Sequence, residues 1–180
     1  AVSRAKVIVR QKNPELDEIE MEKRARIIGL GAVRYADLSQ DRTLDYVFSW
    51  DKLLALQGNT APYLQYAVAR IRSIFRKLKI EPGSGEENAS APVTESENVL
   101  ARKLIYFPSV LEQTICELKP HHLCGYLYEL ATDFSSFYNA DKVMVDEPEV
   151  RARRSLLCSR TLLILETGLG LLGIETLAKM

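Results

Sequence analysis

The sequence predicts an all-α fold, a helical bundle preceded by a short, mostly helical N-terminal appendage. Three observations carry this. Apolar residues recur at 4-3-4-3 spacing in Leu64, Val68, Ile71, Phe75 and Leu78, and again in Leu123, Leu127, Leu130, Phe134 and Phe137, which places each set on one helix face. Residues that start and stop helices stand at the ends of these runs. Strand signal shrinks to scraps such as Val143-Met144-Val145.

The elements follow in order. The chain opens in helical sequence with neither a Met nor an apolar signal core, so it is expected to be a piece of a larger protein. Asn13-Pro14 introduces a second helix in which Glu15, Asp17, Glu18 and Glu20 precede Lys23, Arg24 and Arg26, an order that suits the helix dipole. Asn59, Thr60 and Pro62 open the helix that carries Leu64 to Leu78. Glu81 to Asn98 is rich in Gly, Ser, Pro and acid, with Val93 as its one large apolar residue, and is expected to form a flexible surface loop. Thr94 and Glu97 nevertheless read as the capping box of a third helix. Pro108 restarts that helix at Phe107, Pro120 starts the one carrying Leu123 to Phe137, and Pro148 starts a last helix running towards Gly173.

Composition narrows the function. With 180 residues and 47% hydrophobic content the chain buries enough surface for one good core or two small ones, which excludes disorder. Cys116, Cys124 and Cys158 are an odd count without a C-x-x-C pair, which fits a reducing, cytoplasmic setting. The richest apolar stretch, Leu156 to Leu172, is interrupted by Arg160, Glu166 and two glycines, so no membrane span is expected. The 24 basic and 24 acidic residues balance, yet residues 1–80 hold 15 and 9 of them and residues 81–100 hold none and 5. Between Asp51 and Glu81 there is no acid at all, only Lys52, Arg70, Arg72, Arg76, Lys77 and Lys79.

Most motifs have plain readings. Gly168-x-Gly170-x-x-Gly173 matches a phosphate-loop pattern but closes a helix instead of opening one, which points to close packing and a C-terminal cap. His121, His122, Cys116 and Cys124 lack a second ligand pair and a nucleophile signature, so neither a metal site nor a catalytic site is expected. More informative are Tyr66, Arg70, Ser73 and Lys77, which recur at +4, +3 and +4 and line a stripe rotated from the apolar one. An aromatic ring beside cations suits single-stranded RNA, whose bases stack on rings while phosphates meet Arg or Lys. The alternative, long side chains snorkelling at a core edge, stays open at this point.

Three segments decide further: Gly31-Ala-Val-Arg-Tyr-Ala-Asp-Leu38, Asp45-Tyr-Val-Phe-Ser-Trp-Asp-Lys-Leu-Leu54, and Gly58-Asn-Thr-Ala-Pro-Tyr-Leu-Gln-Tyr-Ala-Val-Ala-Arg-Ile-Arg-Ser73. With Phe107-Pro108, Pro120-His-His-Leu-Cys124, Tyr126-Leu-Tyr-Glu-Leu-Ala131, Phe137-Tyr138 and Leu171-Leu-Gly-Ile174, they closely resemble, in order, the C-terminal half of arginyl-tRNA synthetases. The resemblance implies a class I aminoacyl-tRNA synthetase that joins arginine to its tRNA with ATP and Mg, ending in a DALR-type helical bundle that grips the anticodon. The family's H-x-G-H and K-M-S-K-S-like ATP-site signatures do not occur here, so this chain is expected to hold no cofactor and no catalytic residue.

The resemblance also divides the chain. Residues 1–44 look like the tail of the catalytic portion and 45–180 like the anticodon-binding bundle, with 81–98 as its flexible loop. Tyr66 and Arg70 match positions that contact the anticodon loop, Asn59 lies in a segment near the anticodon stem, Tyr138 matches a pocket aromatic, and Met180 matches a Met beside the anticodon nucleotides. Lys77 follows on the same stripe. Lys142 stands where some relatives carry Trp, so a phosphate contact is expected in place of stacking. The implied partners are the anticodon stem-loop of tRNA(Arg) and the remainder of the synthetase, with no membrane, the chain acting as a monomer. A structural or protein-interaction bundle without RNA reading is the competing expectation. If 1–44 failed to fold without its catalytic body, exposed Ile27, Ile28, Leu30 and Val33 would promote association.

Overall fold

A computed structural model describes residues 1–45, 47–84 and 89–180, and all that follows concerns these residues. Among them the chain forms eight helices and no strand: α1 (Val2–Lys12), α2 (Glu18–Leu38), α3 (Trp50–Leu53), α4 (Ala61–Leu78), α5 (Glu95–Ile105), α6 (Phe107–Glu117), α7 (Pro120–Ala140) and α8 (Pro148–Leu171). Val143-Met144-Val145 is irregular, as its length predicts.

Helix boundaries follow local chemistry. The helix introduced by Asn13-Pro14 begins later than expected: Glu15 lies in the preceding turn, and Asp17 is the N-cap, accepting from the Glu20 amide at 2.8 Å. Thr60 caps α4 by accepting from the Tyr63 amide at 3.2 Å, with Pro62 in the first turn, where its missing N–H costs nothing. Thr94 and Glu97 form the capping box of α5. The acidic loop therefore ends before Asn98, because Glu95 to Asn98 make the first turn of that helix. Its middle, residues 85–88, lies outside the described residues, and so does the flexibility expected there. Pro108 and Pro120 sit in the first turns of α6 and α7, and Pro148 starts α8.

Both apolar series face inward. Leu64, Val68, Ile71 and Phe75 of α4 join Leu123, Leu127, Leu130, Phe134 and Phe137 of α7 in one core with α5 and α8, while Leu78 packs at its edge. Truncating a fully buried member such as Leu127 or Phe134 would cost about 2–5 kcal/mol. Gly168 belongs to α8 where that helix meets α7, and a Cβ there would come within 2.6 Å of the Leu127 side chain. Gly173 follows α8 at φ +68, a left-handed conformation glycine adopts without strain.

A second, smaller core joins α1, α2 and α3. It buries Ile28 and half-buries Ile27 and Val33, while Leu30 is exposed at 48%. The two cores interlock: Tyr35 of α2 belongs to the large one, whereas Leu177, beyond α8, returns to the small one.

Glu97 ties three elements together. Its carboxylate, fully inaccessible, accepts from Arg153 Nε at 2.9 Å and Arg154 Nε at 2.8 Å, and Arg154 also donates to Asp141 at 2.7 Å. Burial by itself would raise the Glu97 pKa; the bonds from Arg154, the Val93 amide, Arg153 and the Thr94 amide outweigh it and hold the carboxyl down at about 2.

Candidate nucleic-acid interface

The outward stripe of α4 makes one wall of a groove. Because Leu64, Val68, Ile71 and Phe75 occupy the core face, Tyr66, Arg70, Ser73 and Lys77 are turned towards solvent, and Tyr66 keeps 41% exposure. The last turn of α7 supplies Tyr138 opposite. The Arg70 guanidinium carbon lies 5.5 Å from the centre of the Tyr66 ring and 4.9 Å from that of Tyr138. It is thus held by two rings, each contributing roughly 0.5–1 kcal/mol where exposed. No carboxylate among the described residues pairs with it.

The groove measures about 580 Å³. Five of the seven residues expected at the site line it: Tyr66, Arg70, Lys77, Tyr138 and Met180. Arg24, Arg76 and Lys179 add cations, giving five positive side chains against one carboxylate, Glu15. Arg24 is paired with Glu20 at 2.9 Å, so the net field comes chiefly from Arg70, Arg76, Lys77 and Lys179. Arg76, beside Lys77 in the acid-free basic run of α4, is off the stripe and is not among the expected site residues; Met144, Lys179 and Arg24 come from remote segments that no local pattern connects.

Asn59 and Lys142 lie elsewhere. Asn59 borders a separate depression of about 350 Å³ with Phe48, Lys52 and Gln57. It is anchored by the buried Tyr35 hydroxyl, which shares its one proton between Asn59 Oδ1 at 2.5 Å and the Cys124 carbonyl at 2.8 Å. Burial pushes the Tyr35 phenol far above its ordinary value, which keeps it a donor. Lys142 is exposed outside the groove, its carbonyl accepting from Arg154 Nη1 at 2.7 Å.

The histidines have ordinary partners. His122 Nε2 meets Glu117 at 2.8 Å and His121 Nε2 stands 3.9 Å from Asp41, while Cys116 is exposed and Cys124 buried. Among the described residues no three His, Cys, Asp or Glu side chains converge as metal ligands, and no helix is long and apolar enough to cross a membrane.

Comparison with known proteins now decides the family: residues 64–180, which include most of α4, all of α7 and the groove residues from Tyr66 onward, match the DALR anticodon binding domain. The chain belongs to that family. Residues 1–50 match the catalytic domain of class I tRNA synthetases (R). Over its whole length this DALR protein is similar to arginine–tRNA ligases; that of Pseudoalteromonas translucida is 47% identical over 182 residues, covering 100% of this chain and 31% of the relative. Among solved structures, arginyl-tRNA synthetase from Plasmodium falciparum superposes with a TM-score of 0.89 at 31% identity, covering 99% of this chain and 32% of that one. The Thermus thermophilus arginyl-tRNA synthetase gives 0.84 at 32% identity, covering 99% and 31%. The chain spans about a third of the length of the relatives it matches. The DALR bundle is all-helical, as the apolar spacing predicts.

Proposed function

We propose that this chain is the C-terminal part of an arginine–tRNA ligase and that its groove holds the anticodon loop of tRNA(Arg). In this reading residues 1–44 are the tail of the catalytic portion and 45–180 the anticodon-binding bundle, a division supported by the separate family matches over 1–50 and 64–180. Ligation of arginine with ATP and Mg belongs to the remainder of the enzyme. The residues described here do not fit that chemistry, since they offer neither a converging set of metal ligands nor the two ATP-site signatures. The protein works as a monomer in the cytoplasm, a setting its three free cysteines support.

One observation carries the reading: Arg70 lies over the rings of two tyrosines, without a carboxylate, in a groove where cations predominate. The buried arginines at the start of α8 are by contrast neutralised by Glu97 and Asp141. At Arg70 the donors of the guanidinium remain for RNA, and the exposed Tyr66 ring offers a face to an unstacked base. Lys77 and Lys179 take phosphates, Met180 packs against a base, Asn59 backs the stem, and Lys142 is an outer phosphate contact. The site performs no chemistry; its binding energy positions the distant acceptor end.

The test is titration of a fluorescent tRNA(Arg) anticodon stem-loop with this chain at two salt concentrations, beside a loop whose middle base is changed. Discrimination between the loops, and weakening with salt, is expected. Equal binding of both loops, unaltered in Tyr66→Ala and Arg70→Ala, would sink the assignment.

A further inference from the structure

Beyond α8, residues 172–180 return across the molecule without helix or strand, so their carbonyls have no ladder to join. Side chains from two helices take three of them. Arg34 of α2 donates to Gly173 O, Gln65 Nε2 of α4 to Glu175 O at 2.8 Å, and Arg76 Nη1 of α4 to Ala178 O at 2.9 Å. Between the last two, Leu177 is seated in the small core at 5% exposure. The segment ends with Lys179 and Met180 on the groove.

Gln65 is the unusual member. It is fully buried, its Nε2 also lies 3.4 Å from Ile27 O, and its Oε1 has no partner. A leucine would fill that space without an orphaned oxygen, but it could not hold Glu175. The helix opposite leaves room for the amide: a Cβ on Gly31 would lie 3.0 Å from Gln65 Nε2 and 3.1 Å from Ile174 Cγ2. Gln65 also immediately precedes Tyr66, so one residue of α4 fixes the tail inside while the next faces the groove outside.

We propose that Gln65, assisted by Arg34, is a positioning residue for RNA reading: it holds the tail so that Lys179 and Met180 form a wall of the groove. The inference rests on the anticodon-loop reading above. Because Gln65 is buried it cannot touch RNA, which separates its role from that of Arg76, a residue that lines the groove itself.

The experiment uses the 180-residue chain with methyl-13C methionine, whose three probes are Met21 in the small core and Met144 and Met180 at the groove. Gln65→Leu is expected to move the Met180 methyl signal to that of an unstructured methionine, leave Met21 in place, and weaken anticodon stem-loop binding by about tenfold. Removal of residues 178–180 should weaken binding equally, and the two changes together no further. An unmoved Met180 signal overturns the proposal. So does a released Met180 with unchanged affinity while Tyr66→Ala still weakens binding. If Tyr66→Ala and Arg70→Ala are themselves without effect, the anticodon reading fails first and takes this inference with it. Should Gln65→Leu not fold, Gln65→Met, an unbranched side chain of similar length that lacks the donor to Glu175 O, gives the same readouts. A loosened Met180 with reduced affinity supports the proposal there, and an unmoved signal with unmoved affinity overturns it.

Discussion

At the start of α8 two arginines are enclosed by acids, whereas on the outer face of α4 one arginine has rings where the acids would be. Arg153 and Arg154 meet Glu97 at 2.9 and 2.8 Å, and Arg154 meets Asp141 at 2.7 Å, with all four side chains nearly out of reach of water. Arg70 lies between Tyr66 and Tyr138 on an open groove. The difference follows from solvation. A charge removed from water is tolerated only when opposite charge and hydrogen bonds replace the lost hydration. A half-exposed guanidinium keeps water on its open side, so rings can orient it without neutralising it. The acid-enclosed pair Arg153 and Arg154 therefore braces the frame of this bundle, whereas Arg70 keeps its charge uncompensated on the groove.

The largest expected effect lies in the compensated region. Glu97→Ala strands the buried Arg153 guanidinium, leaves Arg154 with Asp141 alone and removes the Glu97 half of the α5 capping box, and should lower unfolding free energy by about 3–5 kcal/mol in a urea titration, leaving stem-loop affinity of the folded protein unchanged. A loss below about 1 kcal/mol would show that water reaches these arginines and would erase the contrast with Arg70. Acid probes the same node. Glu97 titrates near its ordinary 4.5 when unfolded and at about 2 when folded, so its contribution is complete above pH 4.5 and is lost as pH falls towards 2. Melting temperature should drop steeply across that window, and Glu97→Gln should flatten the drop.

The two regions were unequally legible. The capping box of Thr94 and Glu97 is a local pattern, but the arginines that make Glu97 a node lie 56 and 57 residues away, and no periodicity links them. Tyr66, Arg70 and Lys77 were visible because one helix fixes their relative rotation. Tyr138 entered through the family resemblance alone, since α7 must pack on α4 before the two rings can flank Arg70. The tail is the opposite extreme. Residues 172–180 have no period, and their place is set by contacts to Arg34, Gln65 and Arg76, donors that any surface or core might hold.

Next in size are the changes on the binding face. Tyr66→Ala or Arg70→Ala should cost about 1–3 kcal/mol in stem-loop affinity, read by fluorescence titration. Unfolding free energy should fall by no more than about 1 kcal/mol for Tyr66→Ala and about 1–2 kcal/mol for Arg70→Ala, the worth of one and of two ring contacts. Arg70→Lys sharpens the point. It keeps the charge but loses the flat guanidinium and its fork of donors, so an intermediate loss is expected, whereas full retention would mean that Arg70 acts only as a point charge.

The smallest effect concerns how far the RNA path extends. Lys77 lines the groove and has no partner among the described residues, so Lys77→Ala should reduce the slope of log affinity against log salt by about 0.7, the value for one single-strand phosphate. Base discrimination should survive, since a phosphate contact carries no sequence information. Lys142 lies outside the groove and is exposed, so as an outer contact its ammonium stays hydrated and screened, and Lys142→Ala should lower the slope by less than Lys77→Ala does. An equal reduction would carry the backbone path past Tyr138 along the segment after α7; no reduction would confine it to the cations on α4 and the tail.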